Sequence, residues 1–200
     1  MKAIFSALTV LLLSATSFAQ IPGTLAIGAA IPMADAKMKS TDGKEISIKD
    51  AFGKNGVLVM FSCNTCPYVV KYQARTIQAI KEAKKNNIGV IIINSNEEYR
   101  NAEDSFTAMQ AYAKTQGYTV PYVVDTKSVL ADAFGANRTP ECFLFDPSGK
   151  LIYHGAIDDN QDANQVGRKH LAVAIDEAVA GKEVSTKETR SIGCMIKRLD

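Results

Sequence analysis

Five consecutive apolar residues, Val57-Leu58-Val59-Met60-Phe61, run directly into Ser62 and then Cys63-Asn64-Thr65-Cys66-Pro67. An apolar run of strand length without polar alternation describes a strand covered on both faces. A second such run, Val90-Ile91-Ile92-Ile93, lies downstream. Between the two, Val70, Ala74, Ile77 and Ile80 recur at helical spacing, with Lys81, Glu82, Lys84 and Lys85 on the other side and Asn86-Asn87 as the stop. Two doubly buried strands joined by a helix require a sheet flanked by helices, with the dithiol at the carboxyl end of a central strand, where such sheets carry their sites.

The remaining periodicities fill in that plan. Lys37-Met38-Lys39 and Glu45-Ile46-Ser47-Ile48 flank the turn signal Thr41-Asp42-Gly43-Lys44, which predicts a small N-terminal hairpin. A helix is expected over residues 101–116, with Phe106, Met109 and Ala113 inward and Gly117 closing it. Residues 120–124 read as a short strand and residues 129–134 as a short helix ended by Gly135. Cys142-Phe143-Leu144-Phe145 turns through Pro147-Ser148-Gly149-Lys150 into Leu151-Ile152-Tyr153-His154, an antiparallel hairpin. A last helix is expected over residues 164–180, with Leu171, Ala174, Ile175, Ala178 and Val179 inward, then Gly181 and a polar tail. The class is α/β with a mixed sheet.

Composition narrows the functions open to such a fold. A net charge of +2 leaves no basic footprint for nucleic acid. Four cysteines in 200 residues are too few for a disulfide-stapled scaffold, so each is read as an individual site. The first nineteen residues have the three parts of a secretory signal peptide: a positive start at Lys2, an apolar stretch around Val10-Leu11-Leu12-Leu13, and small residues in Ser17-Phe18-Ala19. The boundaries expected are therefore 1–19 for the signal, 20–181 for one domain and 182–200 for a C-terminal tail. No later segment has the roughly 18 apolar residues of a membrane span, and export would place the cysteines where disulfides persist, in the periplasm or outside the cell.

Cys63 and Cys66 admit three readings by spacing. Haem attachment requires a His after the second Cys, where Pro67 stands. A zinc site requires a second close pair, whereas Cys142 and Cys194 are far apart in the chain. A redox dithiol at a strand-to-helix junction fits, because the free N–H groups and the dipole of a helix N-terminus stabilise a thiolate. Pro67 suits the first helical position and makes Cys66 the N-cap. Neither Asn64 nor Thr65 puts a carboxylate between the thiols. On these grounds the catalytic residues are Cys63 and Cys66, joined as a reversible disulfide. No cofactor and no metal is required, and a copper site with His154 and His170 is the weaker alternative.

The stretch from Val57 through Cys63-Asn64-Thr65-Cys66-Pro67-Tyr68-Val69 resembles the active-site segment of the redoxin-type, peroxiredoxin-like branch of the thioredoxin superfamily. Asn94-Ser95-Asn96 is similar to the end of that family's next strand, and Asp146-Pro147-Ser148-Gly149-Lys150 to its hairpin turn. Thr139-Pro140 resembles the cis-proline loop that faces the dithiol, and Gly193-Cys194-Met195-Ile196-Lys197 resembles a common ending. The resemblance implies a thioredoxin-like fold with the hairpin as an N-terminal extension. It also implies a cis bond before Pro140, and Thr139 and Pro140 offering their backbone to an extended substrate. The function it implies is thiol–disulfide exchange with disulfide-containing proteins or small thiols, served by a redox partner. A peroxiredoxin-like thiol peroxidase is the alternative. The chain departs from relatives in three ways: it has no Trp, residues 57–61 carry no Asp, and neither Cys63 nor Cys66 ends a Pro-x-x-x-Thr-x-x-Cys run. Thioredoxin order makes Cys63 the attacking residue; the N-cap argument makes it Cys66.

Three further expectations concern isolated residues. Cys142 falls in a core strand as a small apolar side chain. Arg138 and Glu141, flanking the Thr-Pro pair, are expected to be solvated. Cys194 sits in an apolar cluster, Ile192 to Ile196, that a disordered tail would not need. It is either an inert docking residue or a resolving thiol that exchanges with Cys63 or Cys66.

Overall fold

A computed structural model describes residues 23–199. The expected signal peptide, residues 1–19, lies outside the described residues. Strands β3 (Val57–Ser62), β4 (Gly89–Asn94) and β5 (Tyr122–Val124) are parallel, β7 (Glu141–Phe145) is antiparallel to β3, and β8 (Leu151–Gly155) is antiparallel to β7. Their order in the sheet is β5-β4-β3-β7-β8. The apolar runs thus occupy the centre, as expected. The hairpin β1 (Met38–Lys39) and β2 (Glu45–Ile46) forms where its turn signal placed it.

Period-two alternation divides each central strand between two cores. Leu58, Met60, Ile92 and Leu144 pack with helices α1 (Pro67–Lys85), α2 (Phe106–Gln116) and α4 (His170–Val179) on one face. Val59, Phe61, Ile91, Ile93, Phe143 and Phe145 pack on the other with α3 (Val129–Phe134) and the N-terminal arm at Leu25, Ile27 and Ile31. This is the thioredoxin-like arrangement expected, a mixed sheet covered by helices.

Three helices differ from their expected form. In α1 the buried stripe is Val69, Tyr72, Thr76, Ala79, Ile80 and Ala83, whereas Val70 is 58% exposed. Tyr72 and Thr76 mix polar and apolar character, so apolar counting passed over them. Helix α2 starts at Phe106, not at 101, because the Ser105 hydroxyl caps it by accepting the Ala108 N–H. Helix α4 starts at His170, not at 164. The Asp159 carboxylate takes the Gly167 and Arg168 N–H groups and holds that segment outside the helix. Gly117 and Gly135 cap α2 and α3 in the left-handed conformation, as the sequence led us to expect.

The described part of the tail, residues 182–199, makes two backbone pairings with the domain. Residues 187–189 run beside β8, with the His154 N–H donating to the Lys187 carbonyl and the Thr189 N–H to the His154 carbonyl. Strand β9 (Cys194–Met195) then pairs antiparallel with β6 (Arg138–Thr139). None of the helices in the described residues is long and apolar enough to cross a membrane.

Candidate active site

Cys63 follows the last residue of β3, and Cys66 is the N-cap of α1 with Pro67 at the first helical position. Nineteen residues of helix point their N-terminal end at Cys66, and the first turn carries no acidic side chain. Pro67 makes this local structure. It keeps the preceding residue out of the helical region, and the backbone of Cys66 is accordingly extended, at φ −58° and ψ 126°.

Opposite lies the 138–140 loop. The Thr139–Pro140 bond is cis, as the resemblance implied. The Thr139 hydroxyl is 3.4 Å from Cys63 Sγ, and its carbonyl oxygen is 3.5 Å from Cys66 Sγ. The structure therefore brings Cys63, Cys66, Thr139 and Pro140 together with Cys194, the residue read as either an inert docking residue or a resolving thiol. It joins Cys66 to Cys194 in a disulfide, with Cα atoms 6.1 Å apart, across 128 residues of sequence. Cys63 is left as a buried thiol. The pairing expected from spacing, Cys63 with Cys66, is thus not the one present. The tail reaches the site by strand pairing, and sequence proximity carries no information about it.

Burial pushes the Cys63 thiol pKa up, and the nearby Asp104 charge adds to this, while the Thr139 hydroxyl pulls the other way. Cys142 is fully buried in β7, as expected, and burial pushes its thiol well above the ordinary range. It is chemically inert by position.

Two groups behind the site were not legible as functional. Asn64, read from the sequence only as an uncharged residue between the thiols, is buried in a polar network. Its N–H donates to Asp104 Oδ1 at 2.9 Å, its amide donates to the Glu103 carbonyl at 2.7 Å, and its Oδ1 accepts from Tyr122 OH at 2.8 Å. Asp104, with no exposure, also accepts from Asn94 Nδ2 at 2.7 Å and Asn96 Nδ2 at 2.9 Å. The polar spacing Asn94-x-Asn96 at the end of a buried strand was the available signal; Asp104 was hidden inside an expected helix. The second group is Glu141. It is buried, where a solvated side chain was expected. Its Oε2 accepts the N–H groups of Asn137 and Arg138, each at 2.8 Å, and its Oε1 lies 2.7 Å from His154 Nε2. The carboxylate braces the loop that faces the cysteines. His170 lies elsewhere, on α4. Among the described residues no three His, Cys, Asp or Glu side chains cluster as metal ligands would.

The AhpC/TSA family pattern matches residues 27–154, well over half of the chain. The chain belongs to the AhpC/TSA family. Thiol-disulfide oxidoreductase ResA of Bacillus subtilis (strain 168) is 29% identical over 118 residues, covering 58% of this chain and 60% of that protein. The chain thus spans about 60% of that relative's length. An uncharacterized conserved protein from Geobacillus kaustophilus superposes with a TM-score of 0.80 at 28% identity, over 90% of this chain and 94% of that one. A hypothetical protein from Sinorhizobium meliloti 1021 gives 0.79 at 29% identity, over 88% and 97%.

Proposed function

We propose that this chain is an exported thiol–disulfide oxidoreductase whose nucleophile is Cys66 and whose resolving thiol is Cys63. One observation carries the reading: Cys66, at the helix N-terminus, is bonded to a cysteine held on the 138–139 strand, while Cys63 stays free beside the same loop. That is the geometry of a mixed disulfide with its resolving thiol in waiting. The relative named as a thiol-disulfide oxidoreductase supports the same class.

In the reduced protein the Cys66 thiolate attacks one sulfur of a substrate disulfide. A Cys66–substrate bond forms, and the other substrate sulfur leaves with the electron pair and takes up a proton. The Cys63 thiol then loses its proton and attacks Cys66 Sγ. This makes the Cys63–Cys66 disulfide and expels the second substrate thiolate. The dithiol gives two electrons and the substrate disulfide accepts them. Thr139 and Pro140 hold the substrate backbone alongside, and a separate redox partner resets the dithiol.

Trapping tests this assignment. Cys63→Ser/Cys194→Ser should accumulate a covalent adduct with a disulfide protein such as insulin, whereas Cys66→Ser should form none. Adducts through Cys63 in the Cys66→Ser protein would reverse the roles. Export is tested by the mass of the chain recovered from the periplasm or medium, which should lack residues 1–19.

A further inference from the structure

The tail that reaches Cys66 does so as an extended strand in a defined register. Cys194 pairs with Thr139 and Met195 with Arg138. The Ile196 N–H donates to the Asn137 carbonyl at 3.0 Å, and Arg138 Nη1 donates to the Gly193 carbonyl at 3.2 Å. Each position meets a different demand. A Cβ at Gly193 would collide with the Thr139 carbonyl, so the residue before the cysteine must be minimal. Met195 is 62% exposed, so most of its side chain faces solvent and not the edge. Ile196 is 4% exposed, in the apolar cluster that includes Phe61, Phe134 and Ala136. Arg198 reaches Asp132 Oδ1 at 2.7 Å and the Ala136 carbonyl at 2.6 Å.

We propose that the extended partner segment held along residues 137–139 is selected by its sequence. Its preferred sequence is written in this chain's own tail: a glycine, the reacting cysteine, any residue, an aliphatic residue, and a basic residue two places further on. The tail holds that place between encounters. This rests on the exchange function proposed above and specifies its substrate.

The chemistry closes without an added oxidant. A chain with Cys66–Cys194 joined and Cys63 as thiol holds the same electrons as one with Cys63–Cys66 joined and Cys194 as thiol. Attack of the Cys63 thiolate on Cys66 Sγ breaks the first bond, forms the second, and leaves Cys194 to take the proton. Once freed, the tail can leave the edge, and a partner with the same pattern can take its place. Because the tail is tethered, its effective concentration is on the order of millimolar, so a partner must match its contacts to displace it.

The test uses reduced full-length protein and four synthetic peptides. The first has the sequence of residues 191–198 with 2-nitro-5-thiobenzoate on its cysteine. In the others the Gly becomes Val, the Met becomes Lys, or the Ile becomes Asp. Attack on the peptide sulfur releases the coloured thiolate, and its second-order rate is read directly. The Val and Asp peptides should react at least about tenfold more slowly than the parent, since each loses close approach or apolar burial, and the Lys peptide within about twofold of it. Ile196→Asp, which loosens the tail, should accept the parent peptide about fivefold faster or more. Arg198→Ala should do so to a smaller degree if Ile196→Asp fails to fold. Equal rates for all four peptides, or no gain in the variants, would overturn the docking proposal and leave the exchange function standing. Failure to release the thiolate from any peptide, and from a small free disulfide, would instead refute the exchange function itself.

Discussion

Replacing Asp104 by Asn should damage both the stability of the protein and the poise of Cys63, by amounts that follow from its contacts. Three donors converge on its two oxygens: the Asn64 N–H and Asn94 Nδ2 on Oδ1, and Asn96 Nδ2 on Oδ2. An Asn side chain offers one oxygen and one amino group. With the oxygen kept toward Asn64 and Asn94, the new amino group faces the Asn96 amino group, donor against donor. Turning the Asn96 amide over does not help. Its Oδ1 accepts the Lys197 N–H at 3.0 Å, so the flip moves the conflict to the tail. One buried donor is orphaned in every arrangement, and the charge that strengthened the other bonds is gone. A hydrogen bond to a charged group contributes about 1.5–3 kcal/mol and an orphaned donor costs about 1–3 kcal/mol. The expected loss is about 2–4 kcal/mol, or about 5–15 °C in Tm for a domain of this size. The same substitution removes a negative charge that raises the Cys63 pKa. In a Cys66→Ser/Cys194→Ser background, the pH profile of Cys63 alkylation by iodoacetamide should therefore move to lower pH. A Tm within about 1 °C of the parent together with an unmoved alkylation profile would refute the reasoning.

Other consequences are open to shorter tests. Because burial raises the Cys63 pKa, little of it is thiolate at neutral pH. Release of substrate from the mixed disulfide should then accelerate about tenfold per pH unit until that pKa is passed, and a release rate flat from pH 7 to 9 in stopped-flow measurements would contradict it. Glu141→Ala should lower stability by about 2–4 kcal/mol in urea unfolding with an unchanged m-value, since it orphans the Asn137 and Arg138 N–H groups and strips His154 of its partner. Glu141→Gln, which keeps an acceptor for both N–H groups, should recover more than half of that. Peroxide should be reduced far more slowly than a protein disulfide, because neither cysteine ends the Pro-x-x-x-Thr-x-x-Cys run; a hydrogen peroxide rate matching the disulfide rate would overturn this.

What the sequence made legible divides along a physical line. Residues 57–61 and 90–93 declared themselves because a strand buried on both faces has no polar position to spare, and their flanks had only one sheet to join. Cys66 was readable as an N-cap because Pro67 acts on its immediate neighbour. Local constraints of this kind leave marks within a few residues. The helix starts at 101 and 164 failed for a reason of the same scale: the Ser105 hydroxyl caps α2 four residues after the expected start, and the Asp159 carboxylate takes the Gly167 and Arg168 N–H groups, and a count of apolar spacing registers neither. The bond between Cys66 and Cys194 belongs to a different scale. Nothing near position 66 encodes it, and nothing near 194 beyond an apolar cluster around one thiol. It exists because β6 offers an unpaired edge next to the cysteines and residues 193–196 can lie against that edge without a Cβ in the way. Glu141 obeys the same logic. Beside Arg138 and Pro140 it read as a solvated charge, yet the Asn137 and Arg138 N–H groups and the His154 ring on β8 make it a brace. Sites assembled by pairing between distant segments leave their trace as residues that look locally wasteful: a Gly before a lone Cys, a carboxylate after a Pro, two Asn at the end of an apolar strand. In this chain the Gly and the carboxylate touch the edge that faces the cysteines, Asn96 touches the tail, and Asn94 reaches the cysteine loop through Asp104.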